Sequence, residues 1–160
     1  MSETLPADKG KVLQAYAQVK GKRKLLLESI FGAKALQPEI KERITNFNDV
    51  LQENGKTEEE FRESCQGLEP DEVAYKMIKE IVKAFNEGWT PDWTNGSEYK
   101  YYPWFKMGSP SGGGFSYGDY VNWASHSLVG SRLCFKSSEL AKYAGTQFED
   151  IYKEFLTLNK

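Results

Sequence analysis

The chain has 160 residues, 39% of them hydrophobic and 28% charged, with a formal net charge of -2. That length suits one domain with an appendage and a core that needs no covalent staples. The near-neutral balance excludes a general electrostatic pull toward nucleic acid or anionic membrane, and two cysteines are too few for a disulfide scaffold.

Positions 1–8 are polar and read as a disordered tail, with no apolar leader. No run of about 18 apolar residues follows that would span a membrane. Together with reduced thiols, this predicts a cytoplasmic protein. From 9 to 31 the pattern is helical: Val12, Leu13, Tyr16 and Val19 form one stripe, Leu26, Leu27, Ile30 and Phe31 a second. Gly21 lies between the stripes, and Gly32 suits a helix stop. The basic cluster Lys20-Gly21-Lys22-Arg23-Lys24 reads as a solvated turn, and Leu25, Leu26 and Leu27 read as anchoring their helix.

Pro38 fits a helix first turn. Ile40, Ile44, Phe47 and Leu51 then share one face, spaced 4, 3 and 4. Thr57 and Glu60 form a capping box for a short helix. Pro70, Asp71 and Glu72 open the strongest helix of the first half, with Val73, Met77, Ile78, Ile81, Val82 and Phe85 as its apolar face. Charge is segregated along this half. Residues 1–36 carry seven Lys/Arg against three Asp/Glu, net +4, while 37–87 carry seven against thirteen, net -6.

Beyond Gly88 the character changes. Eleven of the chain's aromatic residues fall between Trp89 and Trp123, including all four tryptophans. Segments 99–107, 115–124 and 128–136 read as β-strands, with a glycine-rich hairpin loop at 108–114. Ser137 or Ser138 caps a final helix whose stripe is Leu140, Ala144, Phe148, Ile151, Phe155 and Leu158. Gly145 inside it implies close packing against another element. The expected fold is α+β: N-terminal helices, a three-stranded antiparallel sheet, and a C-terminal helix packed on that sheet. The expected division is a tail at 1–8, a helical region at 9–67 and an α+β domain at 68–160.

Three segments carry a resemblance: Asn86-Glu87-Gly88-Trp89-Thr90-Pro91-Asp92-Trp93, Tyr99-Lys100-Tyr101-Tyr102-Pro103-Trp104-Phe105, and Val129 to Ser137 followed by Glu139-Leu140-Ala141. Across most of 69–160 the chain resembles a family of small uncharacterised proteins from gut Bacteroides-type bacteria and their phages. The resemblance implies an intracellular bacterial or phage setting. It supplies no catalytic or binding residues.

Strand alternation divides the aromatic stretch. Tyr101, Phe105, Phe115, Tyr117 and Trp123 are expected to face the core. Tyr102, Trp104, Tyr120, Arg132 and Lys136 are expected on the outer face, flanked by Lys100 and Lys106. Gly118-Asp119 is a candidate bulge that would break this register. Trp89 and Trp93 are expected to lock the connector onto the core. The outer set is the candidate binding surface for a protein partner, unless the N-terminal helices cover it. Single-stranded nucleic acid is the alternative, since aromatics beside cations stack bases and neutralise phosphates, although the basic-Gly-aromatic RNA-recognition signature is missing. An enzyme reading would pair Cys134 with His126, the only histidine. One histidine and two distant cysteines predict no structural zinc. The glycine-rich loop lacks the Gly-Lys-Ser/Thr ending of a phosphate loop, so no cofactor is expected.

Overall fold

The computed structural model describes residues 7–108 and 114–157. Residues 1–6 of the expected tail, 109–113 of the expected loop and Leu158 lie outside the described residues. The chain divides into two compact units between Arg43 and Ile44, ahead of the expected boundary near 67.

The first unit holds α1 (Lys9–Gln18), α2 (Lys22–Phe31), a 3-10 turn (Ala33–Leu36) and α3 (Ile40–Arg43). The Asp8 carboxylate caps α1 by accepting from the Lys11 N–H at 3.0 Å. Gly21, at φ 59°, separates α1 from α2, and Gly32, at φ 79°, ends α2. Tyr16 clips the two helices: its hydroxyl donates to Glu28 at 2.5 Å, and the Lys24 ammonium lies 4.9 Å from its ring centre. No residue of α1 or α2 is buried. Leu25, Leu26, Ile30 and Phe31 are exposed, which corrects the expectation that the leucines anchor the helix.

The second unit holds α4 (Phe47–Glu53), α5 (Glu58–Ser64), α6 (Pro70–Asn86), β1 (Lys100–Lys106), β2 (Ser116–Trp123), α7 (Ser138–Gln147) and α8 (Glu149–Leu156). The periodic stripe from Ile40 to Leu51 is interrupted. Asn46 caps α4 in a reciprocal box with Asp49, and the Asp49 carboxylate also accepts from the Thr45 N–H at 2.8 Å. Local side-chain bonding by Thr and Asn here outcompetes helix continuation. The Thr57–Glu60 capping box forms as expected.

Helix α6 is the spine. Ile78, Ile81, Val82 and Phe85 on its apolar stripe are buried. Phe85 meets the rings of Phe135, Tyr143 and Phe148 at centroid distances of 6.4, 5.7 and 6.2 Å. Burial of such a side chain is worth about 1.5–3 kcal/mol. Helices α4 and α8 pack on α6, and α7 packs on both strands. The expected single C-terminal helix is broken at Phe148 (φ -118°), whose buried ring reaches the Phe85 cluster.

The α+β class stands, but among the described residues the sheet has two antiparallel strands. In place of a third strand, the 128–136 segment makes one bridge, in which Tyr101 and Phe135 exchange both backbone hydrogen bonds, at 3.0 and 2.7 Å. The next pair in such a ladder is Pro103 with Leu133, and proline has no N–H to donate. In the other direction lies Ser137, already the N-cap of α7. Leu133 instead donates to Gly130 in a turn, and Ser127 Oγ accepts from the Val129 and Gly130 N–H groups at 3.1 and 2.7 Å. The segment is held through Asn86, buried at the end of α6. Its amide donates to the Cys134 carbonyl at 2.8 Å and accepts from the Lys136 N–H at 3.0 Å.

Candidate functional site

The two strands pair in a register that places Tyr101 opposite Asn122, Tyr102 opposite Val121, Pro103 opposite Tyr120 and Trp104 opposite Asp119. Phe105 then pairs with Tyr117, which leaves Gly118 without a partner. This is the expected bulge. One extra residue inverts the faces of everything beyond it. Tyr117 and Tyr120 therefore lie on the same side as Tyr101, Pro103 and Phe105, while Val121 and Trp123 join Tyr102 and Trp104 on the other.

The first of these faces meets the helices. Phe105 is buried and contacts the rings of Phe115, Tyr117 and Tyr152 at 5.0, 6.0 and 4.9 Å. A Cβ on Gly145 of α7 would fall 2.7 Å from the Tyr117 ring and 2.8 Å from Pro103, so glycine there is what lets α7 approach the sheet. Tyr120 was expected on the outer face. The bulge turns it to this side, where its ring packs 5.6 Å from Tyr101 and sits under the Lys142 ammonium of α7 at 5.0 Å.

The second face is half covered. At one end, Lys100 is only 1% exposed, and its ammonium donates to the carbonyls of Asp92, Glu98 and Ala124, the last two at 2.7 and 3.0 Å. It also pairs with the Glu98 carboxylate at 3.2 Å and lies 5.3 Å from the Trp93 ring centre. Trp93 in turn donates its indole N–H to Ser131 Oγ at 2.7 Å, which ties the connector to the exposed turn of the 128–136 segment rather than to the core. The Asp92 N–H, followed by the Lys100 ammonium, holds the Glu98 carboxyl below the usual carboxylate range. Thr94 does the same for Asp92, mainly through its hydroxyl. A lysine expected to flank an open surface is thus the peg on which the connector hangs. Alternation carries no sign of this, because a strand position does not reveal which loop returns over it.

Tyr102, two residues on, is 4% exposed, where an outward ring was expected. The open part of this face carries Trp104 and Trp123, 51% and 48% exposed, with half-buried Val121 between them on β2 and exposed Lys106 beyond Trp104. Trp123 was expected in the core; the bulge puts it outside. Arg132 is exposed in the turn segment off the sheet. Lys136 pairs with Glu87 at 3.0 Å near the end of α6. Of the five expected binding residues, only Trp104 remains on the open face, and the register places Trp123 on that same face, opposite Lys100.

Cys134 and His126 have separate surroundings. The Cys134 thiol is fully buried and donates weakly to the Ser131 carbonyl at 3.7 Å, and burial pushes it up to about 11. His126 is exposed, with its ring 6.4 Å from that of Trp123. Among the described residues no three His, Cys, Asp or Glu side chains are grouped to hold a metal ion, and no helix is long and apolar enough to cross a membrane. No protein-family model, curated protein or solved structure matches the chain, and the site is read from its own geometry.

Proposed function

We propose that the chain is a noncatalytic protein-binding module, acting in the cytoplasm of a bacterial or phage system, and that the face bearing Trp104 and Trp123 is its contact surface. The observation that carries this is two tryptophans, each about half exposed, on one face of a strand pair fixed by a bulge. Tryptophan offers a large contact area with little side-chain freedom to lose, and it is enriched among residues that dominate binding energy. The nucleic-acid alternative is less well supported, because the cations it needs are dispersed. Lys100 is buried, Lys136 is paired with Glu87, Arg132 is off the sheet, the cross-strand partner of Trp104 is Asp119, and of the expected cations Lys106 alone stays on the open face. A thiol mechanism lacks an activated thiolate at Cys134.

A displayed peptide library panned on the wild-type protein and counter-selected on the Trp104→Ala/Trp123→Ala double variant tests this. Peptides that bind wild type and lose about 2 kcal/mol or more on the double variant support the surface. Peptides that bind both proteins equally would overturn it. So would a salt-dependent quenching of tryptophan fluorescence by a single-stranded oligonucleotide in the absence of any selected peptide.

A further inference from the structure

Helix α2 is an unfavourable object as it stands. It has ten residues, none of them buried and no side-chain cap at its start. Helices this short are marginal in water unless packing supports them. Its first turn carries Lys22, Arg23 and Lys24 and no acid, so three positive charges crowd the positive end of the helix dipole. Past them Leu26 and Ile30, four residues apart, share one face and are exposed, beside exposed Leu25 and Phe31.

The second unit presents a surface of the opposite kind. Between α6 and α8 lies an open groove of about 440 Å³ whose lining is mostly apolar, with Leu68, Val73, Met77 and Ile151, and includes the acids Asp150 and Glu154. The start of α6 beside it adds Asp71 and Glu72. An open apolar cleft of this kind gives an amphipathic helix a place to lay part of its apolar side. The acids ask for cations next to that apolar side, and α2 supplies both features on one short helix.

We propose that the chain self-associates through these two surfaces, with α2 of one copy seated in the α6–α8 groove of another. Leu26 and Ile30 meet the apolar lining, and the Lys22–Lys24 turn meets the acids. Reciprocal exchange between two copies closes a dimer, since each chain carries both halves of the contact. Docking also removes the deficits of α2 at once. Its apolar face leaves water, and carboxylates approach its positive end.

Sedimentation of the full chain from micromolar to millimolar concentration tests the proposal. A concentration-dependent dimer that weakens with added salt is expected. Leu26→Asp/Ile30→Asp, at exposed positions, should weaken the dimer at least about tenfold by placing charge against an apolar lining. Asp150→Lys should also weaken it, and adding Arg23→Glu to the same chain should restore it by charge exchange. A chain that stays monomeric over the whole range overturns the proposal. So does a dimer indifferent to the Leu26/Ile30 substitutions, or one that Asp150→Lys weakens and Arg23→Glu fails to rescue.

Discussion

Replacing Lys100 with methionine should destabilise the protein by about 3 kcal/mol, although it preserves most of the side chain's length and volume. The ammonium of Lys100 serves the carbonyls of Asp92, Glu98 and Ala124 together with the Glu98 carboxylate. A thioether serves none of them. Each buried carbonyl left without a donor costs about 1–3 kcal/mol. Against that, folding no longer has to strip water from an ammonium, a relief of several kcal/mol. Removing one partner of a buried charged group usually costs about 3–5 kcal/mol; Asp92 is exposed and Glu98 and Ala124 are half-buried, which places the expectation at the lower end. In a domain of this size the loss corresponds to a Tm lower by roughly 6–12 °C. Urea denaturation gives the free energy, and near-ultraviolet circular dichroism reports Trp93, which rests against the ammonium. A variant within about 0.5 kcal/mol of wild type, with an unchanged aromatic spectrum, would refute the view that Lys100 holds the connector.

Gly145→Ala should gain about 1 kcal/mol in helix propensity and lose about 1–3 kcal/mol to overlap with Tyr117 and Pro103. The expected net loss is about 1 kcal/mol by urea denaturation, and a stabilised variant would show that α7 has slack above the sheet. Cys134 supplies an alkaline signature. Its folded pKa of about 11 lies above the ordinary 9.0, so the unfolded chain loses its proton first. Its contribution is then complete below about pH 9 and is lost as pH rises through the folded value, at up to roughly 1.4 kcal/mol per pH step in that window. Cys134→Ala should remove that part of the slope; parallel curves of stability against pH for the two proteins would count against it. In native protein at neutral pH, alkylation should reach half-exposed Cys65 and spare Cys134.

The elements written most plainly in the sequence are those whose cause is local. The α6 stripe, the Thr57–Glu60 box, the Ser137 cap and the Gly32 stop each depend on residues within a few positions of one another. Gly145 was readable for a related reason: a helix-interior glycine costs stability unless something close by requires it, and here Tyr117 and Pro103 do. The sheet was less readable because its decisions are made between segments. Pro103 ends the ladder toward Leu133 only because Tyr101 pairs with Phe135, and that partner cannot be known from either segment alone. Gly118 was visible as a bulge, yet its effect on Tyr120 and Trp123 depends on which strand they oppose. Lys100 was misplaced because alternation names two faces and says nothing about the loop that returns over one of them, and Tyr102, on the same face, is buried beside it. The candidate site was therefore legible as a composition, aromatics near cations, and not as a constellation.

The two uncovered surfaces differ in how much order they already possess, and that difference sets how tightly each can bind. Trp104 and Trp123 stand on paired strands whose register is fixed by the bulge and whose reverse face is packed against α7. A partner meeting them has little backbone left to order, so most of the buried area is retained as affinity. Helix α2 belongs to a pair of ten-residue helices with no buried residue. Any partner seated on it must first supply the free energy that keeps it helical, a cost of about 2–5 kcal/mol for segments that fold on binding. At equal contact area the tryptophan face should hold its partner more tightly and exchange it more slowly. The α2 contact should be weak, salt-sensitive and governed by protein concentration. Segregating positive charge in 1–36 from negative charge in 37–87 then helps the weaker contact most, because steering raises the encounter rate of two surfaces that short-range packing alone holds poorly.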